Sequence, residues 1–438
     1  MINNYLKMAW KVLRRRKFFT FISLFGISLT LMILILASSL LESSFGKEKP
    51  LTNRDRLVFL SWVTLKKINI DTIWTRDSTQ IDGTWHIDST YTNSETIQLT
   101  SQSSGTYQLF DNYFRHLKTP QKMSLFIQNA AFDVFLNSHK IALNGMYTDA
   151  DYWQIFDFHF LEGGPYSENQ INNQEQVVII SEKTRDDFFG QNEEALGREI
   201  NLEGKHYLVS GVVNNVPELK DFASADIYLP YTLFSGEDLS QPILGPFQFA
   251  FLADSPQSRR QIIREISSLE NKIPINDANY NALEFTPLTF MEQVSRSIYW
   301  AEDQRQGLKV LMAIIIGIIS LFILVPTLNL INLNVSRIME RSSEIGVRKA
   351  FGANRYHLLY QFIFENLILT LLGGAIGLLL ALTAIQLSNR LKLIPYLDLA
   401  FNLKVFIYAL LITLIFGVVS GLLPAIKMSK MRIIDAIK

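Results

Sequence analysis

Apolar and polar positions alternate along this chain on a scale of tens of residues. Four runs hold no charged side chain, at 18–41, 310–336, 366–389 and 405–426. The hydrocarbon core of a bilayer takes about 20 apolar residues in helical form, so each run predicts a membrane helix. Arg14, Arg15, Arg16 and Lys17 precede the first run, as in a signal peptide. That run is longer than the roughly 7–15 residues of a signal h-region, so a retained helix is expected.

The polar segment between the first two runs is too long for a loop and predicts a domain. The apolar stretch 176–181 reads as a buried strand, followed by a helix over 182–189 with Ser181 as N-cap and Gly190 as its stop. Stretches 198–202 and 206–213 read as strands around the turn Glu203-Gly204-Lys205. Ile262, Ile266, Leu269 and Ile273 mark one face of a helix. The domain is therefore mixed α/β. From about 57 to 150 Thr, Ser and aromatics alternate, which predicts a separate β-rich subdomain. Thr289 and Glu292 fit a capping box. The helix it opens either runs through Trp300 into the second membrane helix as a lever, or breaks near Gly307.

Ile2, Leu6, Trp10 and Leu13 recur at helical spacing, opposite Lys7, Lys11 and Arg14. Such a helix lies in the interface of an anionic leaflet, which makes membrane lipids a partner. Basic residues also set the orientation. Lys7, Lys11 and residues 14–17, then Arg337, Arg341, Arg348, Lys349 and Arg355, then Lys427, Lys430, Arg432 and Lys438 all mark cytoplasmic ends.

The expected layout has a cytoplasmic amphipathic helix at 1–17 and membrane helices at 18–41, 309–335, 358–389 and 405–426. An extracytoplasmic domain fills 42–308, a cytoplasmic loop 336–357, a short external link 390–404 and a cytoplasmic tail 427–438. The fold class is thus a membrane protein: four transmembrane α-helices with a large mixed α/β extracytoplasmic domain between helices 1 and 2.

Composition narrows the function. In 438 residues, Lys and Arg number 41 and Asp and Glu 41, which excludes a global basic field for nucleic acid. Cysteine is absent from the sequence, which excludes disulfides, thiolate metal sites and cysteine nucleophiles. None of His86, His116, His139, His159, His206 and His357 falls in an HExxH, and GxSxG does not occur. Gly46-Lys47 and Gly204-Lys205 lack the upstream glycine and following Ser/Thr of a phosphate loop. Asp149, Asp151 and Asp157 lack the spacing of a calcium loop and read as surface charges. No catalytic residue, metal ligand or cofactor is assigned to this chain.

Small residues recur four apart within the membrane runs. Gly373 and Gly377, continued by Ala381, and Gly417 and Gly421 let helix backbones pack closely, in a compact bundle or a dimer seam. Glu365, near the cytoplasmic end of the third helix, is a functional carboxylate, or it snorkels to the headgroups or pairs with Arg355 or His357. Pro326, above Asn329, Asn332 and Asn334, predicts a kink.

The loop RSSEIGVRKAFGANR, 341–355, carries the most particular chemistry. Ser343 can cap a two-turn helix, with Glu344 at its positive end, Arg348 and Lys349 at its negative end and Gly352 as stop. Val347, Ala350 and Phe351 share one face. Local physics leaves two readings, a plain basic connector and a helix that docks into a partner's groove.

Arg341, Glu344, Ile345, Gly346, Arg348, Lys349, Ala350, Gly352 and Ala353 follow, in order, a pattern of the MacB/FtsX-type ABC transporter permeases, which this chain resembles. Glu365 and Gly373-Gly374 resemble family positions, as do the stretches 9–20, 152–164, 177–190, 195–213 and 421–430. The resemblance implies permease dimers, with themselves or a related permease, carrying ABC ATPase subunits on the cytoplasmic loops. ATP and Mg would sit on that partner. It further implies a bacterial inner-membrane location with both termini cytoplasmic, and a periplasmic or outer-membrane partner. Residues Glu344, Ile345, Gly346, Val347, Arg348, Lys349, Ala350, Phe351, Gly352 and Ala353 would form the ATPase-coupling helix, and the outer domain would move by mechanotransmission, for export or for lipoprotein or peptide release. The chain departs from the family at Ile433, where proline is usual, and over 50–150. A membrane receptor or scaffold with a ligand-binding outer domain and no ATPase is the second reading. A membrane hydrolase, the third, lacks its motifs.

Overall fold

A computed structural model of the chain describes residues 14, 17–81, 84–136, 139–218, 220–235, 242–298, 306–321, 324, 355–393 and 396–429. The chain forms two compact units, Lys47–Leu308 and Met1–Gly46 with Lys309–Lys438.

The strands of the first unit are β1 (Leu57–Leu60), β2 (Val63–Ile81), β3 (Thr84–Gly105), β4 (Lys122–Leu136), β5 (His139–Thr148), β6 (Phe160–Gly163), β7 (Val177–Ser181), β8 (Glu199–Leu202), β9 (Lys205–Val213), β10 (Ile227–Pro230), β11 (Leu244–Gly245), β12 (Gln248–Leu252), β13 (Ala282–Phe285) and β14 (Leu288–Thr289). A ten-stranded sheet takes the order β14-β1-β12-β4-β5-β10-β7-β9-β6, with β8 on β9. Strands β7 and β9 pair in parallel, as do β5 and β10, and the other contacts are antiparallel. Every residue of β7 is buried, which is why it reads as an unbroken apolar run.

The local signals around β7 act as the sequence predicts. The Ser181 hydroxyl accepts the Thr184 N–H at 3.2 Å, opening the helix Glu182–Phe189. Gly190 ends that helix at a φ of 105°. Between β8 and β9 a two-residue turn puts Glu203 and Gly204 at positive φ, 52° and 83°, as a tight right-twisted hairpin requires. Ile262 and Ile266 are buried on the helix Arg259–Ser267, and Leu269 and Ile273 lie in the turns after it. At Thr289 the Glu292 carboxylate accepts both the backbone N–H and the hydroxyl, each at 2.8 Å, at the start of the helix Phe290–Ile298. Residues 299–305, where the lever reading places a continuous helix, lie outside the described residues.

Segment 57–150 is rich in strand but divides between two sheets. Strands β1, β4 and β5 join the large sheet, while β2 and β3 build a second one in the order β11-β3-β2-β13. Strand β13 ends its pairing at Lys66, and β2 and β3 continue as a two-stranded ribbon to Ile81 and Thr84. Trp74 and Tyr91 face each other across it, 5.4 Å between ring centres, and Trp74 is 64% exposed.

An aromatic cluster fills one side of the large sheet. Tyr152, Phe156, Phe158, Tyr228 and Trp153 pack ring on ring. Buried phenols need acceptors. Tyr152 donates to the Phe222 carbonyl at 2.9 Å and Tyr228 to that of Ala223 at 2.6 Å.

The second unit contains α1 (Lys17–Phe45), α3 (Arg355–Leu391) and α4 (Leu403–Ser429); α2 (Gln306–Leu321) precedes α3 in the chain. Within α1 and α3, Thr20–Phe45 and Ile363–Leu391 are long and apolar enough to cross a membrane. Among the described residues α2 and Leu403–Ile415 are shorter apolar helices, so two of the four expected spans reach full length there. The amphipathic segment 1–13, Pro326 with its asparagines, and the tail from 430 lie outside the described residues. The link before α4 is pinned by side chains. Asn389 donates to the Leu399 carbonyl at 3.0 Å and accepts its N–H at 2.9 Å, and the Ser39 hydroxyl donates to the Ala400 carbonyl at 2.6 Å.

Ser181→Ala removes a helix cap worth about 1 kcal/mol. Hydrogen exchange is expected to speed up roughly fivefold at the first amides of helix Glu182–Phe189 and to stay unchanged in β1 and β12.

Candidate functional site: a helix seam and an outer-domain cleft

The expected coupling residues Glu344 to Ala353 lie outside the described residues. The glycines expected to pack helices are partly in view. A Cβ on Gly373 would stand 2.7 Å from Ile27 Cγ2, and one on Gly377 would stand 2.9 Å from the Ser28 carbonyl oxygen. Both glycines therefore face α1 of the same chain. Ser28 lies in the seam, its hydroxyl 2.6 Å from the Leu24 carbonyl and 3.0 Å from that of Gly373. Gly374 points elsewhere, toward Leu410 of α4. Ala381 extends the seam among Ile35 and Ile385. Gly417 and Gly421 lie on α4.

Glu365 departs from the snorkelling expectation. It is 1% exposed and enclosed by protein, on a stretch of α3 where Asn366 and Thr370 are also buried. A headgroup-seeking side chain would present its carboxylate at the surface.

In the outer domain, Asp149 is half-buried and hydrogen-bonded, unlike the free surface charge its sequence context predicts. Its Oδ1 accepts the Ser124 hydroxyl at 2.7 Å and the Tyr152 N–H at 2.8 Å, and its Oδ2 accepts the Leu125 N–H at 3.1 Å. Burial pushes this carboxyl up from the ordinary 3.8 to about 7, against the three hydrogen bonds that favour the charged form; Asp151 nearby adds to the rise. Asp151 itself pairs with Lys122 at 3.0 Å, and Asp157 with Lys49 at 3.1 Å. Among the described residues no group of three or more His, Cys, Asp or Glu could hold a metal ion.

Asp149 lies on the wall of a cleft of about 850 Å³. Tyr107, Trp153, Tyr166 and Tyr231 give it aromatic surface, and Asp111, Arg115, Lys122, Asp151 and Glu168 give it charge. The sequence signal for Asp149 was the spacing to Tyr152, where a carboxylate reaches a backbone N–H three residues on, as in a helix cap.

Residues 20–269 match the MacB-like periplasmic core domain, and residues 315–433 match the FtsX-like permease C-terminal family. The chain belongs to the MacB/FtsX-type ABC transporter permeases. As such a permease it is a membrane protein with an extracytoplasmic domain between membrane segments. It is 29% identical over 298 residues to an uncharacterized ABC transporter permease, YvrN, of Bacillus subtilis strain 168, covering 66% of this chain and 68% of that one. It is 26% identical over 306 residues to the macrolide export ATP-binding/permease protein MacB of Escherichia coli K12. That alignment covers 69% of this chain and 44% of MacB, so the chain spans under half the length of that relative. Among solved structures, the extracellular domain of the transporter YknZ from Gram-positive bacteria is similar at 13% identity and a TM-score of 0.33, over 41% of this chain and 88% of that one. The periplasmic region of MacB from Actinobacillus actinomycetemcomitans is similar at 15% identity and a TM-score of 0.31, over 43% and 81%.

Two outcomes follow for this permease. Gly377→Ala sets a methyl against backbone and is expected to destabilise the helix bundle by about 1–3 kcal/mol. Gly373→Ala meets only the Ile27 side chain, so Ile27→Ala restores part of its loss and none of the Gly377→Ala loss, read as melting temperature in detergent. The second outcome concerns Asp149. The folded carboxyl titrates at about 7 and the unfolded one near 3.8, so the folded state holds the extra proton between them. Its contribution to stability therefore falls as pH rises through that window. Melts of the parent and of Asp149→Asn from pH 4.5 to 7 are expected to show the shallower decline in the variant.

Proposed function

We propose that this permease works with a separate cytoplasmic ABC ATPase, which binds ATP and Mg, and converts that enzyme's hydrolysis into movement of the outer domain. The observation that carries the reading is that one chain matches both the FtsX-like C-terminal family and the MacB-like periplasmic core domain. Its alignment with MacB, an ATP-binding/permease protein, covers only 44% of MacB and lies on the permease part. In the working complex two permease chains, identical or related, each cross the inner membrane four times with both termini in the cytoplasm. Residues Glu344 to Ala353 dock in the ATPase as the coupling helix. Val347, Ala350 and Phe351 form the contact face, and Gly346 and Gly352 sit where bulk does not fit. The α1–α3 seam at Gly373 and Gly377 supports the reading by giving the membrane part a close-packed body through which force can pass. Export, or release of lipoproteins or peptides to an envelope partner, is the work such a movement performs.

Gly346→Trp and Glu344→Lys test the docking role. Each is expected to abolish co-purification of the cognate ATPase and its permease-dependent ATP turnover while the permease still folds. Undiminished binding and turnover in both variants would sink it. Failure of any ATPase to co-purify with the parent chain would favour the receptor reading, which the outer-domain cleft also supports.

A further inference from the structure

The cleft of about 850 Å³ in the outer domain has the size of a small-molecule site, and transport by movement of the domain gives it no task. Its walls are partly aromatic. Tyr107 and Tyr231 stack at 5.5 Å between ring centres, and Trp153 meets Tyr166 edge-on at 5.8 Å. Its charges do not balance. Arg115 is engaged by Asp111 at 2.8 Å, and Lys122 by Asp151 at 3.0 Å. The other two carboxylates of the cleft, Asp149 and Glu168, have no ion-pair partner among the described residues.

Asp149 is held for a purpose that its own contacts do not complete. Three donors fix its two oxygens, at 2.7, 2.8 and 3.1 Å, and all three are neutral. A carboxylate accepts about four hydrogen bonds, so one acceptor direction is left on a half-buried group that borders the cleft. A cation with an apolar body satisfies both features at once: charge against Asp149, and ring faces for the body and for cation–π contact. An anion would meet two unbalanced carboxylates. A hard metal ion would need several oxygen ligands converging on one point, and no such group occurs among the described residues.

We propose that this cleft binds a ligand with a protonated amine on an aromatic or aliphatic body, with Asp149 as its counter-ion and Tyr107, Tyr231 and Trp153 as its apolar wall. The inference goes beyond the ATPase-coupling reading and does not rest on it. It makes the outer domain a receiver of a small amine.

The chemistry of the site gives it a pH signature. Burial raises the Asp149 carboxyl to about 7. The groups that bear on it are Asp151, which raises it further, and the Ser124 hydroxyl and the Leu125 and Tyr152 N–H groups, which lower it. The phenols of Tyr152, Tyr166 and Tyr231 interact with it too, and burial keeps all three protonated at neutral pH. An alkylamine stays charged to about pH 10, as lysine does. Asp149 changes charge between pH 6 and 8. Amine binding strengthens as it ionises and releases its proton when bound at pH 6.

The test uses the full chain in lipid nanodiscs without ATPase or ATP, so failure of the coupling reading does not bear on it. Calorimetry compares 2-phenylethylamine, 2-phenylethanol and 3-phenylpropionate, which share a body and differ in charge. The amine is expected to bind at least about tenfold more tightly than the alcohol, the acid not measurably, and amine affinity to rise about tenfold from pH 6 to 8. Asp149→Asn is expected to erase both the preference and the pH dependence. Tyr231→Leu and Glu168→Gln, which leave the hydrogen bonds of Asp149 in place, are expected to weaken the amine by about threefold or more. Equal binding of the three probes, no binding of the amine, or amine affinity unchanged in Tyr231→Leu and Glu168→Gln would each overturn the proposal, whether or not Asp149→Asn folds.

Discussion

No side chain fits between α1 and α3 where Gly373 and Gly377 face Ile27 and Ser28. The rest of the membrane unit is arranged around that approach. In lipid, helices gain little from burying apolar surface, because the tails are as apolar as the side chains. Close backbone contact and shared hydrogen bonds must hold them instead. Ser28 lies between two carbonyls, one on its own helix and one on α3, and the seam continues through Ala381 beside Ile35 and Ile385. Gly374, one position on, turns the same helix toward Leu410 of α4. Helix α3 therefore holds two neighbours through adjacent glycines.

The outer domain solves a different problem. In water its stability comes from burying large apolar side chains, and it does so by stacking aromatic rings against a ten-stranded sheet. The cost is a set of polar groups carried inside. Tyr152 and Tyr228 are answered by carbonyls. Asp149 is answered by three neutral donors, which position its carboxyl without cancelling its charge. Energy spent on such a group is usually recovered elsewhere, and the cleft beside it is where recovery can occur.

Local signals carried much of this into the sequence. The Ser181 cap, the Gly190 stop, the Glu203-Gly204 turn and the unbroken apolar run of β7 each act within a few residues, so each was legible. The charge-free membrane runs were legible because a bilayer excludes charge whatever the tertiary contacts. The ribbon of β2 and β3 was legible only as strand-rich composition, although Asp82-Gly83 stands between its arms as a hairpin signal. Whether those strands join the large sheet or leave it depends on pairings with β11 and β13, about 140 and about 220 residues away.

Sequence alone thus determined that the chain crosses a membrane, carries a mixed α/β domain outside it, and has small residues poised for close packing. The family motif at 341–353 also stands in the sequence, since its meaning lies in residue order. Tertiary structure decided what those pieces meet. The partner of Gly373 lies 345 residues earlier in the chain, and no spacing rule reaches that far. Asp149 became a half-buried, hydrogen-bonded carboxylate because β4 pairs with β5 and brings Ser124 and Leu125 to it; read singly, it is one aspartate among others. Burial and partner are properties of the packed molecule, and they set the charge of that group and the facing of those glycines.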